Sequence, residues 1–246
     1  MGMPISVLAR GLHASGEAAA TAVEAVYEEL RDVDAKFSTY KQDSEVSRLQ
    51  RGEMVLAECS DEIQDIAGRC AAARELTGGL FDATRPDGTW DPSGLVKGWA
   101  AERAARHLAA VTDLDWCLNA GGDVVVISPS SVPFVVGIQD PTNDLRATAS
   151  IAVAGGGIAT SGTAARGAHL YNPLTRRRVT RSGSISVAGP SLERADLLAT
   201  AAFVLEEHPL DFIVRFDGYE ALEIGPGSGM RSTAGWHGVA LDQGRS

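Results

Sequence analysis

One apolar helix toward the C-terminal end carries two polar side chains that can do chemistry together. Residues 192–205 read LERADLLATAAFVL, and Asp196 and Thr200 are the exceptions in its two apolar central turns. Because residues four apart stack on one helix face, a carboxylate and a hydroxyl project side by side from a helix predicted to be buried. A buried carboxylate needs an ionic partner or a metal ion, and such oxygen donors suit Mg²⁺. An arginine partner, or a loop capped by Asp196, is the structural alternative.

Two glycine-containing turns offer further polar groups. The run NAGGD (119–123) lies between two predicted strands, so it predicts either a tight hairpin or a turn that points Asp123 into a cleft. The turn DPSG (91–94) precedes a predicted helix, whose first backbone N–H groups are free to face an anion. The triple glycine at 155–157 lacks the spacing of a P-loop or a dinucleotide fingerprint, so it predicts neither.

His169 is the histidine with the most suggestive neighbours. It lies beside a Tyr-Asn-Pro turn and close in sequence to TSG (160–162), and a neutral imidazole there is a candidate general base. A structural histidine is the alternative. The one basic run, RRR (176–178) with Arg181, lacks interleaved aromatic residues, so it predicts a solvated hairpin tip rather than a phosphate site.

The elements that must position these groups are helical at both ends of the chain and strand-rich in the centre. Three- and four-residue spacing of apolar residues predicts helices at 19–37, 60–77, 95–108 and 192–205, with a short helical turn at 44–49. Short apolar runs predict strands at 116–118, 124–127, 134–138, 148–153 and 184–188. This order favours an α/β or α+β sandwich, with mixed central sheets flanked by helices. We expect a single domain over 1–246, and a boundary between two lobes would fall near residue 112.

Composition excludes several classes of function. The chain has 22 Lys and Arg against 32 Asp and Glu, a formal net charge of −10, which opposes nucleic-acid binding. A compact phosphate ligand stays compatible if a metal ion and helix N-termini neutralise it. Three widely spaced cysteines predict buried thiols rather than disulfides or a zinc site. No apolar stretch reaches the roughly 20 residues of a membrane helix, and the N-terminus lacks the charged-then-apolar pattern of a signal peptide. We therefore expect a cytoplasmic protein, and a trimmed exported form is the alternative.

Taken in order, nine short motifs resemble the ApbE-type FAD:protein FMN transferases, over nearly the whole chain to about residue 205. They are FSTY (37–40), SEVSRL (44–49), GLFD (79–82), DPSGLVKG (91–98), NAGGD (119–123), GIQDP (137–141), IATSG (158–162), HLYNPLT (169–175) and ADLLAT (195–200). The chain departs from the family pattern at Asn172 and Arg176, where the pattern has Asp and Gly, and more mildly at Pro92 and Ser93.

The resemblance implies a function as well as a fold with a ligand cleft between two lobes. The activity is Mg²⁺-dependent transfer of FMN from FAD to a threonine or serine hydroxyl of an acceptor protein, with release of AMP. His169 is implied as the catalytic base. The implied metal ligands are the Gly94 carbonyl, Asp196 and Thr200. Tyr40 is implied to stack on the flavin ring, and the implied contacts to FAD are Met1, Tyr40, Leu80, Phe81, Asp82, Asp91, Lys97, Asp123 and Leu170.

Three other functions compete with protein flavinylation. Water in place of the acceptor hydroxyl gives hydrolysis of FAD to FMN and AMP by the same route. A non-catalytic FAD-binding protein would keep Tyr40 and Asp91 but would need neither the Asp196 helix nor His169. An oxidoreductase would retain its FAD tightly and cycle it between redox states with a substrate.

Overall fold

A seven-stranded sheet forms the centre of the computed structural model, which describes residues 2–163, 171–205, 207–226 and 229–241. The helices are α1 (Glu17–Phe37), α2 (Glu45–Gln50), α3 (Asp61–Leu76), α4 (Ser93–Ala109), α5 (Leu192–Val204) and α6 (Pro209–Ile213), with a 3₁₀ turn at Leu56–Glu58. The strands are β1 (Ile5–Arg10), β2 (Asp115–Ala120), β3 (Asp123–Ile127), β4 (Phe134–Asp140), β5 (Asn143–Val153), β6 (Gly155–Gly162), β7 (Tyr171–Asn172), β8 (Arg177–Arg178), β9 (Ser184–Gly189), β10 (Glu220–Ile224), β11 (Met230–Ser232) and β12 (Val239–Ala240).

The strands form one large and two small sheets. The large sheet has the order β1-β2-β3-β6-β9-β10-β11, a second sheet has the order β12-β5-β4, and β7 pairs with β8. Neighbouring strands of the described residues are antiparallel at every pairing. The expected sandwich of central sheets and flanking helices is confirmed.

Two apolar cores lie on the two faces of the large sheet. Alternate residues of one strand point to opposite faces, so Val125 packs with the helices while Val124 and Val126 pack with the three-stranded sheet. On β6, Ala159 joins the helical core and Ile158 joins the other. The helices therefore cover one face of the large sheet, and the small sheet covers the other.

The predicted helices are present with small changes at their ends. The apolar face of α1 is buried as expected, and Phe37 at its end packs edge-on against Trp99 of α4, with ring centroids 5.5 Å apart. Helix α4 begins at Ser93, two residues before the predicted start, so Ser93 and Gly94 belong to its first turn. The helical core contains residues from both sides of position 112. None of the described helices is long and apolar enough to cross a membrane.

The triple glycine forms the start of β6 and serves close packing. A Cβ at Gly157 would lie 2.5 Å from Leu192 Cα, and one at Gly156 would lie 2.4 Å from the carbonyl oxygen of Gly189. Gly156 also has a φ of +95°, which other residues rarely adopt. Strand β6 was not predicted, since glycine-rich runs have low strand propensity, whereas here the missing side chains let α5 approach the sheet.

Replacing Gly157 by alanine tests this packing. We expect Gly157→Ala to lower the free energy of unfolding by about 1–3 kcal/mol, because the new methyl group meets backbone atoms that cannot rotate away. The matched control is Gly68→Ala, in the exposed part of α3, where a Cβ meets nothing within 4 Å. That change should stabilise the protein by roughly 0.5–1 kcal/mol. Urea denaturation measures both, and equal effects of the two changes would contradict the packing role.

Candidate functional site

Helix α5 presents Asp196 and Thr200 on its inner side, as predicted. The Ser191 hydroxyl caps the helix by accepting the backbone N–H of Arg194 at 3.3 Å. Asp196 is 5% exposed, so its carboxylate lies inside the protein. One turn later, Thr200 Oγ1 lies 3.0 Å from Ser161 Oγ of β6. The two predicted side chains therefore face the point where α5 crosses both the sheet and α4.

Helix α4 reaches α5 through a glycine. A Cβ built at Gly98 would lie 3.0 Å from both Asp196 Cβ and Glu193 Cα, and 3.1 Å from the carbonyl oxygen of Leu192. These separations are shorter than ordinary contacts between side-chain and backbone carbons. The absence of a side chain at Gly98 therefore lets the two helix backbones approach at the level of the buried carboxylate.

Lys97, next to Gly98, forms a buried ion pair with Asp123, the first residue of β3. Lys97 Nζ lies 2.5 Å from Asp123 Oδ2, and the two side chains are 17% and 2% exposed. The other oxygen, Asp123 Oδ1, accepts the backbone N–H of Thr160 at 3.2 Å. Gly121 and Gly122 have φ values of +63° and +96°, so NAGGD is the predicted hairpin and also turns Asp123 inward.

The segment after α3 packs its apolar residues under the first turn of α4. Leu80 and Phe81 are buried, and a Cβ at Gly94 would lie 3.2 Å from Phe81 Cε2. Gly94 thus allows the Phe81 ring to contact α4 directly. Asp82 forms an ion pair with Arg74 at 3.0 Å. The Phe81 contact thereby joins the segment 79–82 to α4, the helix that carries Lys97, and the Asp82 ion pair joins it to α3.

Asp91 organises the turn that begins α4. Its carboxylate forms an ion pair with Arg85, and its Oδ1 accepts the backbone N–H of Ser93 at 3.0 Å. The backbone N–H of Asp91 donates to the carbonyl of Ala83 at 2.7 Å. The side chain of Asp91 therefore satisfies one of the first free N–H groups of the helix.

Tyr40 lies on the surface between α1 and α2, and 93% of it is exposed. Its segment is fixed at both ends. The Ser38 carbonyl accepts the Ser44 hydroxyl at 2.6 Å, and the Gln50 side chain of α2 donates to the Trp90 carbonyl at 2.7 Å. The ring of Tyr40 is thus exposed on a segment that is bonded to the loop before α4.

The β7–β8 hairpin carries the basic run and lies against the segment that precedes α4. Tyr171 Oη donates to the Thr84 carbonyl at 2.6 Å, and burial raises the pKa of Tyr171, with the nearby Asp82 carboxylate adding to the shift. Arg177 and Arg178 are exposed, as expected for a hairpin tip. Arg181 departs from that prediction, because its guanidinium pairs with buried Glu223 at 2.5 Å. Met1, His169 and Leu170 lie outside the described residues.

The donors at the helix crossing fit a magnesium ion by their chemistry. A buried carboxylate, a hydroxyl one turn away and the backbone carbonyls at the start of α4 are all hard oxygen donors, which Mg²⁺ prefers. The described residues contain no group of three or more His, Cys, Asp or Glu side chains that could hold a metal ion. The set at the crossing contains one carboxylate, so substrate oxygens and water would have to complete an octahedral shell.

Several partners in this site have no role that the sequence predicts. Thr160 and Ser161 belong to the IATSG motif, and Arg85 belongs to a predicted loop, but the sequence assigns none of them a contact. The close contact of Gly98 with α5 has one local signal in the sequence, which is a glycine that interrupts an alanine-rich helix. That signal was available, since glycine inside a helix costs about 1 kcal/mol and commonly marks close packing.

Solved structures share this fold across almost their whole length. The ApbE protein of Thermotoga maritima superposes with a TM-score of 0.81 at 21% identity, covering 95% of this chain and 94% of that one. The flavin transferase ApbE of Vibrio cholerae gives 0.71 at 20% identity, with 94% and 96% covered. The apo flavinyl transferase ApbE of Pseudomonas stutzeri gives 0.70 at 18% identity, with 94% of each chain covered. The chain therefore has the fold of the ApbE structures.

The sequence itself identifies the family. The model described as "ApbE family" matches residues 1–87 and 84–222. This chain belongs to the ApbE family. A curated relative, the FAD:protein FMN transferase of Vibrio cholerae, is 28% identical over 144 residues, which are 54% of this chain. The matched part is 43% of that relative's length, so the chain matches less than half of the relative.

The buried ion pair generates a prediction about stability. We expect Lys97→Met to lower the free energy of unfolding by about 3–5 kcal/mol, because it leaves the Asp123 charge buried without its cation. Adding Asp123→Asn should recover part of this loss, since the amide oxygen is neutral and can still accept the Thr160 N–H. Urea denaturation of the two variants measures the difference.

The control for this prediction is a surface lysine. Lys41 pairs with Asp34 at 2.7 Å, and its side chain is 52% exposed. Lys41→Met should cost no more than about 1 kcal/mol. Two results would contradict this role of the buried pair. One is an equal loss of stability in the two lysine variants, and the other is a double variant less stable than Lys97→Met alone. Either would mean that the buried Asp123 charge does not cause the loss.

Proposed function

We propose that this protein transfers FMN from FAD to a threonine or serine hydroxyl of an acceptor protein and releases AMP. Membership of the ApbE family supports the reaction class. The observation that carries the proposal is the crossing of α4 and α5, where Asp196 and Thr200 lie on one helix and Gly98, beside Lys97, contacts it from the other. In this proposal residues 1–246 act as one domain, with the ligand cleft between lobes that meet near residue 112.

Three oxygen donors would hold Mg²⁺ in this proposal: the Gly94 carbonyl, the Asp196 carboxylate and the Thr200 hydroxyl. A bound Mg²⁺ would neutralise negative charge on the FAD diphosphate and on the leaving phosphate. Ser161 contributes by fixing the rotamer of Thr200 through the 3.0 Å contact between their hydroxyls. Burial of Asp196 supports its role, because a carboxylate inside the protein gains most from a nearby cation.

FAD would bind along the edge formed by the segments before and within α4. Tyr40 offers an exposed aromatic face to the flavin ring. Lys97 places a cation near the phosphates, and Asp123 holds that lysine in place through their ion pair. The remaining proposed contacts are Met1, Leu80, Phe81, Asp82, Asp91 and Leu170.

The transfer is a substitution at the FMN-side phosphorus. The acceptor hydroxyl oxygen forms a bond to this phosphorus, and the bond from the phosphorus to the bridging oxygen breaks, so that AMP leaves with that oxygen. His169 accepts the hydroxyl proton. The residues of the site contribute mainly by holding the two reactants in line and by placing positive charge near the phosphates. Water in place of the hydroxyl gives FMN and AMP.

Replacing Asp196 tests the proposed metal ligand. We expect Asp196→Ala to lower FMN transfer to an acceptor protein on the order of 100-fold with Mg²⁺ present. Replacing residues that only hydrogen-bond to metal ligands already lowers metal affinity or activity by about 10–100-fold. Mass spectrometry of the acceptor measures added FMN, and chromatography measures AMP with and without acceptor. Asp32→Ala, an exposed position of α1, is the control and should keep full activity. Activity of Asp196→Ala close to that of the parent removes this residue from the mechanism.

Replacing Tyr40 tests the proposed flavin contact. Tyr40→Ala should weaken FAD binding by about 1–3 kcal/mol, the range found for bases stacked on aromatic side chains. Tyr40→Phe keeps the ring and should bind FAD nearly as well as the parent. Because 93% of Tyr40 is exposed, neither change should alter folding. Fluorescence titration with FAD measures affinity, and an unchanged dissociation constant for Tyr40→Ala places the flavin elsewhere.

A further inference from the structure

Glu102 of α4 binds the start of the neighbouring helix. Its Oε2 atom accepts the Ser191 hydroxyl at 2.8 Å and the backbone N–H of Glu193 at 2.9 Å. The same Ser191 hydroxyl accepts the backbone N–H of Arg194 at 3.3 Å. Helix α5 is therefore capped jointly, by its own N-cap residue and by a carboxylate 89 residues earlier in the chain than Ser191.

This contact is stronger than an ordinary cap for two reasons. Hydrogen bonds to a charged acceptor are shorter and stronger than those between neutral groups. A carboxylate at the N-terminus of a helix also interacts favourably with the helix dipole and satisfies N–H groups that have no partner within the helix. Glu102 therefore fixes the first turn of α5 to the side of α4.

Glu102 and Gly98 together attach α5 to α4 at two points. The two residues are four apart, so they lie on the same side of α4, one turn from each other. At Gly98 the missing Cβ sets how closely the helices approach, 3.0 Å from that Cβ position to Asp196 Cβ. At Glu102 the paired hydrogen bonds set where α5 begins along α4. A slide or rotation of α5 would break the second contact even if the first were kept.

We propose that Glu102 is a positioning residue that holds Asp196 and Thr200 in register with the first turn of α4. This inference rests on the function proposed above, because it assigns Glu102 to the geometry of the metal ligands Gly94, Asp196 and Thr200. Glu102 touches neither FAD nor the metal ion in this account. Its loss would leave all three ligands in the protein but displace those on α5 from the one on α4.

Binding of Mn²⁺ in the presence of saturating FAD tests this role directly, with free Mn²⁺ measured by electron paramagnetic resonance. We expect Glu102→Ala to raise the Mn²⁺ dissociation constant by about 10-fold or more, the effect typical of residues that orient metal ligands. Glu102→Gln should stay within about threefold of the parent, because one amide oxygen can accept both hydrogen bonds. AMP release from FAD should show the same order of variants, with the largest differences at low Mn²⁺.

Two further variants separate positioning from general stability. Glu28→Ala removes an exposed glutamate from the middle of α1, and Ile63→Val loosens the buried core around α3. Both should keep the parent's Mn²⁺ affinity, although Ile63→Val lowers the urea midpoint. Parent-like Mn²⁺ binding by folded Glu102→Ala, or an equal loss in Glu102→Gln, overturns the proposal for Glu102. If Asp196→Ala also binds Mn²⁺ as the parent does, the proposed metal site fails as well, and the two failures are thereby distinguished.

Discussion

The contact between Gly98 and Asp196 is the constraint on which the arrangement of this site depends. With 3.0 Å from the Cβ position of Gly98 to Asp196 Cβ and to Glu193 Cα, a larger residue at Gly98 requires α5 to shift by a few tenths of an ångström. The same crossing also positions the neighbours of these two residues. Lys97 immediately precedes Gly98, and Thr200 lies one turn after Asp196. Cation, carboxylate and hydroxyl therefore take their positions from one contact between two helices.

The large sheet supplies the opposite side of the site through its two-residue period. Thr160 and Ser161 are adjacent on β6 and point to opposite faces, so Thr160 meets Ser186 at 2.7 Å while Ser161 meets Thr200 of α5. Thr160 still contributes to the helical side through its backbone N–H, which Asp123 accepts. A shift of one residue in this register would exchange the two hydroxyls and remove the contact with α5.

Local patterns in the sequence predicted the parts of the site but not the way they pair. The apolar turns around Asp196 and Thr200 predicted the helix and their common face, and both are confirmed. The pairing of Lys97 with Asp123 was not predictable, because it depends on how α4 lies on β3. The same holds for Ser161 with Thr200, 39 residues apart. Such contacts follow from register and helix crossing, which short-range periodicity does not contain. The glycine-rich strand β6 was missed because its residues suit close packing rather than strand propensity. The roles of Met1 and Leu170 remain predictions from the resemblance, and that of His169 remains a prediction from its sequence neighbours and the resemblance.

The most direct test of the account is the location of a divalent ion in crystals grown with FAD and Mn²⁺. Anomalous scattering identifies Mn²⁺ without reference to any assumed ligand. The account predicts a peak about 2 Å from an Asp196 carboxylate oxygen, with the Thr200 hydroxyl, the Gly94 carbonyl and diphosphate oxygens completing the shell. A peak on the FAD diphosphate that lies away from both Asp196 and Thr200 would contradict it.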